Sequence, residues 1–201
     1  MKIYILTDED STQDKTFFSP LTKQGLENSI KLIEELKKVK ITHIYSSPYI
    51  RTLQTIYPYS KKYKLKINLE YALCEINHKD IIPKKSYQIR LPEYMAESFN
   101  YEPNYNEKFA PEEISYPENE KKVYKRVRDI LKYIISIHSS LDDNVILVTH
   151  QIVCKQILKI VKNFGVLKPN NEDLLSYPKG ALTEVFDNIY WTFKPINWKS
   201  K

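Results

Sequence analysis

Lys2-Ile3-Tyr4-Ile5-Leu6-Thr7-Asp8-Glu9-Asp10-Ser11-Thr12 is the stretch on which the fold turns. Residues 2–6 form a short apolar run that breaks abruptly into acidic and hydroxylated residues. A run of this length ending in a polar turn reads as a buried central strand with Asp8 at its carboxyl end. In open α/β sheets that edge is where ligands bind. Asp8 and Asp10 at such a place suggest a metal site or a structural turn.

Working outward, Thr22 is placed to cap a helix whose apolar residues Leu26, Ile30, Ile33 and Leu36 recur at helical spacing, ending near Lys40. A second strand is expected over residues 41–45, landing on Ser46-Ser47-Pro48-Tyr49-Ile50-Arg51. Ser47 as N-cap with Pro48 at the first helical position would start the next helix. Arg51 then falls in its first turn, the wrong sign for a helix N-terminus. Residues 65–69 are a third strand candidate, followed by Leu73-Cys74-Glu75. Residues 93–120 hold eight Glu, one Lys, three Pro and four Tyr without periodicity, and read as a surface excursion or a lid.

After that excursion Val123, Val127, Ile130, Ile134 and Ile137 mark an amphipathic helix. Residues 145–148 are the cleanest buried strand, ending at Thr149-His150, and a helix follows over 151–163. Two last strands, 181–186 and 189–193, flank an Asp187-Asn188 turn. Alternation of strand and helix predicts an α/β fold, a mainly parallel central sheet with helices on both faces. The whole chain, 1–201, reads as one domain.

Composition narrows the function classes. Hydrophobic residues are 42%, so wholesale disorder is not expected. The net charge of +6 comes from scattered basic residues rather than one block, so neither nucleic acid nor a membrane surface is expected as partner. Two cysteines, Cys74 and Cys154, sit in apolar surroundings and read as core residues of a reduced, cytoplasmic compartment. The first apolar run is too short for a signal peptide, and no run nears the ~18 apolar residues of a membrane span.

Asp8, Arg51 and His150 each lie at or just past a strand end, so a parallel sheet would bring them to one edge. A cationic Arg and a His beside helix amino ends suit a phosphate group. Taken alone, His150 reads equally well as a buried, hydrogen-bonded histidine.

Here the chain resembles the histidine phosphatase (phosphoglycerate mutase-like) superfamily. The resemblance lies in the first strand, Pro20-Leu-Thr-Lys-Gln-Gly25, Ser46-Ser-Pro-Tyr-Ile-Arg51-Thr-Leu-Gln-Thr55, Leu73-Cys-Glu75 and Val145-Ile-Leu-Val-Thr-His150. It implies a phosphoglycerate mutase-like fold and a phosphohistidine mechanism that needs no cofactor and no metal. Arg51 and His150 would bind phosphate, and Glu75 would donate the proton to the leaving oxygen. The family's Arg-His-Gly motif is absent: Thr7, Asp8 and Glu9 occupy its three positions.

That departure removes a cation and the nucleophile and adds carboxylates. A carboxylate ~4 Å from a phosphate repels it by roughly 1 kcal/mol in water and more near an interior. The resemblance therefore implies a degenerate, inactive or very weak phosphatase domain with a partial phosphate pocket. Its expected partner is a phosphate-containing small molecule or phosphoprotein.

Three alternatives compete. Asp8-x-Asp10-x-Thr12 also resembles the first motif of haloacid dehalogenase-type phosphatases, implying Asp8 as nucleophile, Asp10 as acid/base and required Mg²⁺. That family needs an acidic pair after a later strand, whereas Asp142-Asp143 precedes its strand. Asp8, Asp10, Glu75 and His150 could instead converge on a divalent metal. Finally, the 16 Tyr could serve a protein-binding surface on the same fold.

Overall fold

The opening run forms strand β1 (Lys2–Thr7), and its alternate side chains divide between two cores. Ile3 and Ile5 join Val145 and Leu147 on one side; Tyr4 and Leu6 join Ile146 and Val148 on the other. Burial on both faces is why this strand is a continuous apolar run rather than an alternating one.

The computed structural model describes residues 1–14, 16–79 and 90–200. After β1 come α1 (Lys23–Val39), β2 (His43–Ser46), α2 (Ile50–Tyr63), β3 (Ile67–Leu69) and the short α3 (Glu93–Ala96). Then follow α4 (Glu120–Ile137), β4 (Asn144–Thr149), α5 (Gln151–Phe164), α6 (Asn171–Leu175), β5 (Leu182–Asp187) and β6 (Tyr190–Pro195). The strands form one sheet in the order β3-β2-β4-β1-β5-β6. β1 to β4 are mutually parallel, whereas β5 runs antiparallel to β1 and turns back into β6. Residues of α4 and α5 pack on one face of the sheet, those of α1 and α2 on the other. The expected α/β architecture, with strands 2–6, 41–45 and 145–149 in one parallel set, is what forms.

Three local expectations are corrected. Thr22 does cap α1, accepting from the Gly25 amide at 3.1 Å. The buried face, however, runs through Gly25, Ser29, Leu32 and Leu36, leaving Leu26 and Ile30 exposed. The cause is a close approach: a Cβ on Gly25 would lie 2.1 Å from the Asp10 carbonyl oxygen, so the helix turns its small residues toward that loop. In α4 the stripe from Val123 to Ile134 is buried, but Ile137 is exposed because the chain leaves the helix at His138. The cap of α2 is Tyr49, not Ser47, and the helix begins at Ile50.

The 93–120 excursion is fastened at its centre by Glu70. This buried carboxylate accepts from Tyr105 Oη and the Lys108 amide at 2.8 Å each, and from the Phe109 and Ala72 amides. Among the described residues no helix is long and apolar enough to cross a membrane.

Candidate active site

β1 and β4 end side by side, Thr7 opposite Thr149, so Asp8 and His150 leave the sheet together. The Asp8 amide donates to the Thr149 carbonyl at 2.9 Å, which fixes the first residue beyond the strand. β2 ends beside β4, and the turn after it delivers Ser47, Tyr49 and Arg51 to the same edge. The four residues expected at the pocket do meet there.

Arg51 Nε stands 3.3 Å from Asp8 Oδ2, and its Nη2 is 3.7 Å from Glu75 Oε2. Its Nη1 donates to the Thr16 carbonyl at 2.9 Å, while the Tyr49 ring lies under the guanidinium at 4.6 Å. These carboxylates explain how a cation sits in the first turn of a helix. His150 is fully buried, with Nε2 2.9 Å from Ser47 Oγ and its ring edge-on to Tyr49. Its Nδ1 has no hydrogen-bond partner and lies 3.9 Å from Asp8 Oδ1 and 3.8 Å from Glu75 Oε2. Asp8 Oδ1 is likewise unpartnered. Ser47 Oγ also accepts from the Tyr49 amide at 3.4 Å, so one hydroxyl holds the turn before α2 and orients the histidine.

The loop before β5 supplies what the sequence reading missed. Lys179 Nζ donates to Asp8 Oδ2 at 2.6 Å. Each member of the Thr7-Asp8-Glu9 triplet engages this loop. Thr7 Oγ1 donates to the Pro178 carbonyl and accepts from the Ala181 amide, at 2.7 and 2.9 Å. Glu9 turns toward Gly180 and accepts from Asn28 at 3.3 Å. Gly180 has φ +62°, and a Cβ there would fall 2.0 Å from Glu9 Oε1. Glycine is favoured at position 180 by its left-handed backbone, and a side chain there would displace the Glu9 carboxylate.

Arg51, Glu75 and Lys179 open onto a cavity of about 490 Å³, lined also by residues 10–13, Gln151 and Ile152, while Asp8 and His150 lie fully buried behind it. None of this lining comes from 93–120, so the excursion is no lid over it. Neither Asp8 nor Glu9 lines the cavity, but Asp8 pairs with the lining cations Arg51 and Lys179, so of the two carboxylates added by the triplet it is Asp8 that acts on the site.

The histidine phosphatase superfamily (branch 1) family model matches residues 12–186, beginning just after the Thr7-Asp8-Glu9 triplet. The chain belongs to the histidine phosphatase superfamily. No curated protein matches it significantly by sequence. Among solved structures, the tungstate complex of ecdysone phosphate phosphatase from Bombix mori superposes with TM-score 0.73 at 16% identity, covering 100% of this chain and 95% of that one. The mycobacterial glucosyl-3-phosphoglycerate phosphatase complex with VO3 gives 0.67 at 15%, covering 98% and 99%. Bacillus stearothermophilus YhfR gives 0.65 at 22%, covering 95% and 94%. At these identities the likeness is one of fold.

Within this histidine phosphatase fold the electrostatics are unusual. Burial, aided by the Arg51, Lys179 and Arg126 cations, holds the His150 pKa well below its ordinary value. Its imidazole is therefore neutral near pH 7. Burial raises the Glu75 pKa, opposed by Arg51 and reinforced by Asp8. A carboxyl that keeps its proton longer is suited to donating one. Arg126 holds the Glu75 segment from behind. It pairs with Glu118 at 2.7 and 2.9 Å and donates to the Cys74 carbonyl at 2.9 Å and the Glu75 carbonyl at 3.4 Å.

Two alternatives lose their geometry. Asp10 is exposed and its carboxylate accepts from Thr22 Oγ1 at 2.8 Å, bracing the start of α1. Among the described residues Asp8, Asp10, Glu75 and His150 do not come together as a set of metal ligands. Asp143 precedes β4, at the edge of the sheet opposite Asp8, so it cannot complete a haloacid dehalogenase-type site.

Proposed function

We propose that this chain is a degenerate histidine phosphatase domain, inactive or very weak as a phosphatase, that keeps a partial phosphate pocket. The observation that carries this reading is the Asp8 carboxylate set between Lys179 and Arg51. A phosphohistidine mechanism needs an imidazole at that strand end, and a carboxylate is there instead. The two cations that would hold a phosphate already hold an anion belonging to the protein. An incoming phosphate must compete with that anion and is repelled by it.

The pocket nevertheless retains the parts of a phosphate site. Arg51, Glu75 and Lys179 line it, with the unpartnered His150 Nδ1 buried 3.8 Å behind Glu75 Oε2. Neighbours named as phosphatases of ecdysone phosphate and glucosyl-3-phosphoglycerate support a phosphate monoester or phosphoprotein as the class of ligand. The unpartnered Asp8 Oδ1 is the one observation favouring a second reading, in which Asp8 attacks phosphorus with a divalent metal. Against it stand the full burial of Asp8 and the lack of a metal-ligating group around it among the described residues.

A generic phosphate monoester assay separates these. Metal-free protein is expected to show no turnover above background. Metal-free turnover near an ordinary enzyme's ~10 per second, lost on His150→Ala, would overturn the proposal. Activity that requires Mg²⁺ and disappears on Asp8→Asn would establish the second reading instead.

A further inference from the structure

At the opposite edge of the sheet, two of the chain's four histidines lie side by side. His43 opens β2, His138 ends α4, and Asp143 immediately precedes β4. The two imidazole rings are 4.3 Å apart. Both Nδ1 atoms face the Asp143 carboxylate, His43 at 3.9 Å from Oδ1 and His138 at 3.7 Å from Oδ2. Ligand atoms of the three residues all fall within 4.8 Å of one another. We propose that His43, His138 and Asp143 form a binding site for a divalent transition metal, best suited to Zn²⁺.

Donor chemistry supports the choice. Two imidazoles and one carboxylate suit zinc, whose bonds to nitrogen and oxygen are about 2.0–2.2 Å long. Tetrahedral ligands on such bonds stand about 3.3 Å apart, so the two histidine–aspartate separations need a contraction of roughly half an ångström and the histidine pair must close as well. His43 is half-exposed, which leaves a fourth position open to water.

The surroundings also hold the ligands in place. Tyr45 Oη lies 2.9 Å from His138 Nε2. With Nε2 carrying the proton, its N–H donates to the phenol oxygen and Nδ1 is left free to ligate. Asp143 Oδ2 accepts from the Ser140 amide at 3.2 Å. His43 Nδ1 meets Thr42 Oγ1 at 2.9 Å, but that hydroxyl also bonds the Asn144 amide and carbonyl, so recruiting His43 strands no polar group.

The full chain without a histidine tag is titrated with Zn²⁺ by calorimetry, and with Co²⁺ by visible absorption. One metal per chain is expected, with the intense Co²⁺ bands of a four- or five-coordinate site. His43→Ala and Asp143→Asn should each weaken binding at least about tenfold, and Tyr45→Phe by a smaller factor. His43 is half-exposed, so its variant keeps the fold, as far-ultraviolet circular dichroism would verify. Asp8→Asn and His150→Ala should leave Zn²⁺ affinity unchanged. The proposal is overturned if wild-type protein binds no tighter than the His43→Ala/Asp143→Asn double variant. Loss of the metal on Asp8→Asn would equally overturn it, placing the ion in the cavity at the other edge.

Discussion

Two buried arginines divide the charged interior of this protein, and they are satisfied to different degrees. Arg126 is enclosed: its guanidinium takes both Glu118 oxygens and the carbonyls of Ala72, Cys74 and Glu75. Arg51 has one hydrogen bond to a carbonyl and longer ion-pair contacts with Asp8 and Glu75, beside two orphaned polar atoms. A complete network rigidifies, whereas an incomplete one facing a cavity has room for a ligand to finish it. Arg126 is scaffold and Arg51 belongs to the site.

The largest expected effect comes from the scaffold. Arg126→Met leaves Glu118 as an uncompensated buried charge and should cost about 3–5 kcal/mol in urea unfolding. Arg51→Met should cost less, because its partners are already incompletely paired. A greater loss for Arg51→Met would break the comparison.

Next in size is the effect of emptying the pocket of its own anion. Asp8→Asn frees Lys179 and Arg51 and should tighten inorganic phosphate binding by about tenfold to a hundredfold, measured by calorimetry. The same variant should melt lower in phosphate-free buffer and regain stability as phosphate is added. Unchanged phosphate affinity would show that the carboxylate is not the competitor.

A pH profile sharpens the comparison further. The folded-state pKa of His150 lies well below its ordinary 6.5. Between those values the unfolded chain binds a proton that the folded chain does not. This contribution is therefore present above pH 6.5 and is lost as pH falls, with a slope of up to about 1.4 kcal/mol per unit. His138 adds in the same direction. Glu75, raised above its ordinary 4.5, acts oppositely: its stabilisation is present below 4.5 and fades as pH rises through its folded-state pKa. His150→Gln should flatten the acid limb of the stability curve by one proton's share. A curve of unchanged slope would remove His150 from the buried neutral set.

The smallest effect belongs to the exposed pairs. Lys159 meets Glu120 at 2.6 Å with both side chains largely solvated. Lys159→Ala should change stability by under about 1 kcal/mol, and by less still in high salt.

Much of this arrangement was legible along the chain. Glu75 came only from the family resemblance, whereas Asp8, Arg51 and His150 could be placed because each sits at or near the end of an element whose periodicity is plain. Lys179 could not, since its arrival at the site depends on β5 lying antiparallel beside β1. Its one local signal is Gly180, one of only three glycines in the chain, standing just before a strand. Ser47 was visible but misassigned, because a serine before a proline looks like a cap, whereas the helix starts only at Ile50 and the hydroxyl is shared between the Tyr49 amide and His150. The inward face of α1 was misjudged because apolar spacing gives no warning of the backbone that Gly25 approaches.

By itself the sequence determined the α/β alternation, the central strand 2–6, the family, and the substitution of Thr7-Asp8-Glu9 for the family's motif. These follow from residue identity and short-range periodicity, which act along the chain. Only the tertiary structure decided how that triplet is accommodated: Thr7 tied to the 178–181 loop, Glu9 turned toward Gly180, and Asp8 held between Lys179 and Arg51. It also decided that His43, His138 and Asp143 meet at the far edge. The reason is one of range. Charge and hydrogen bonding act over a few ångströms in space, and Asp8 and Lys179 lie 171 positions apart in the chain.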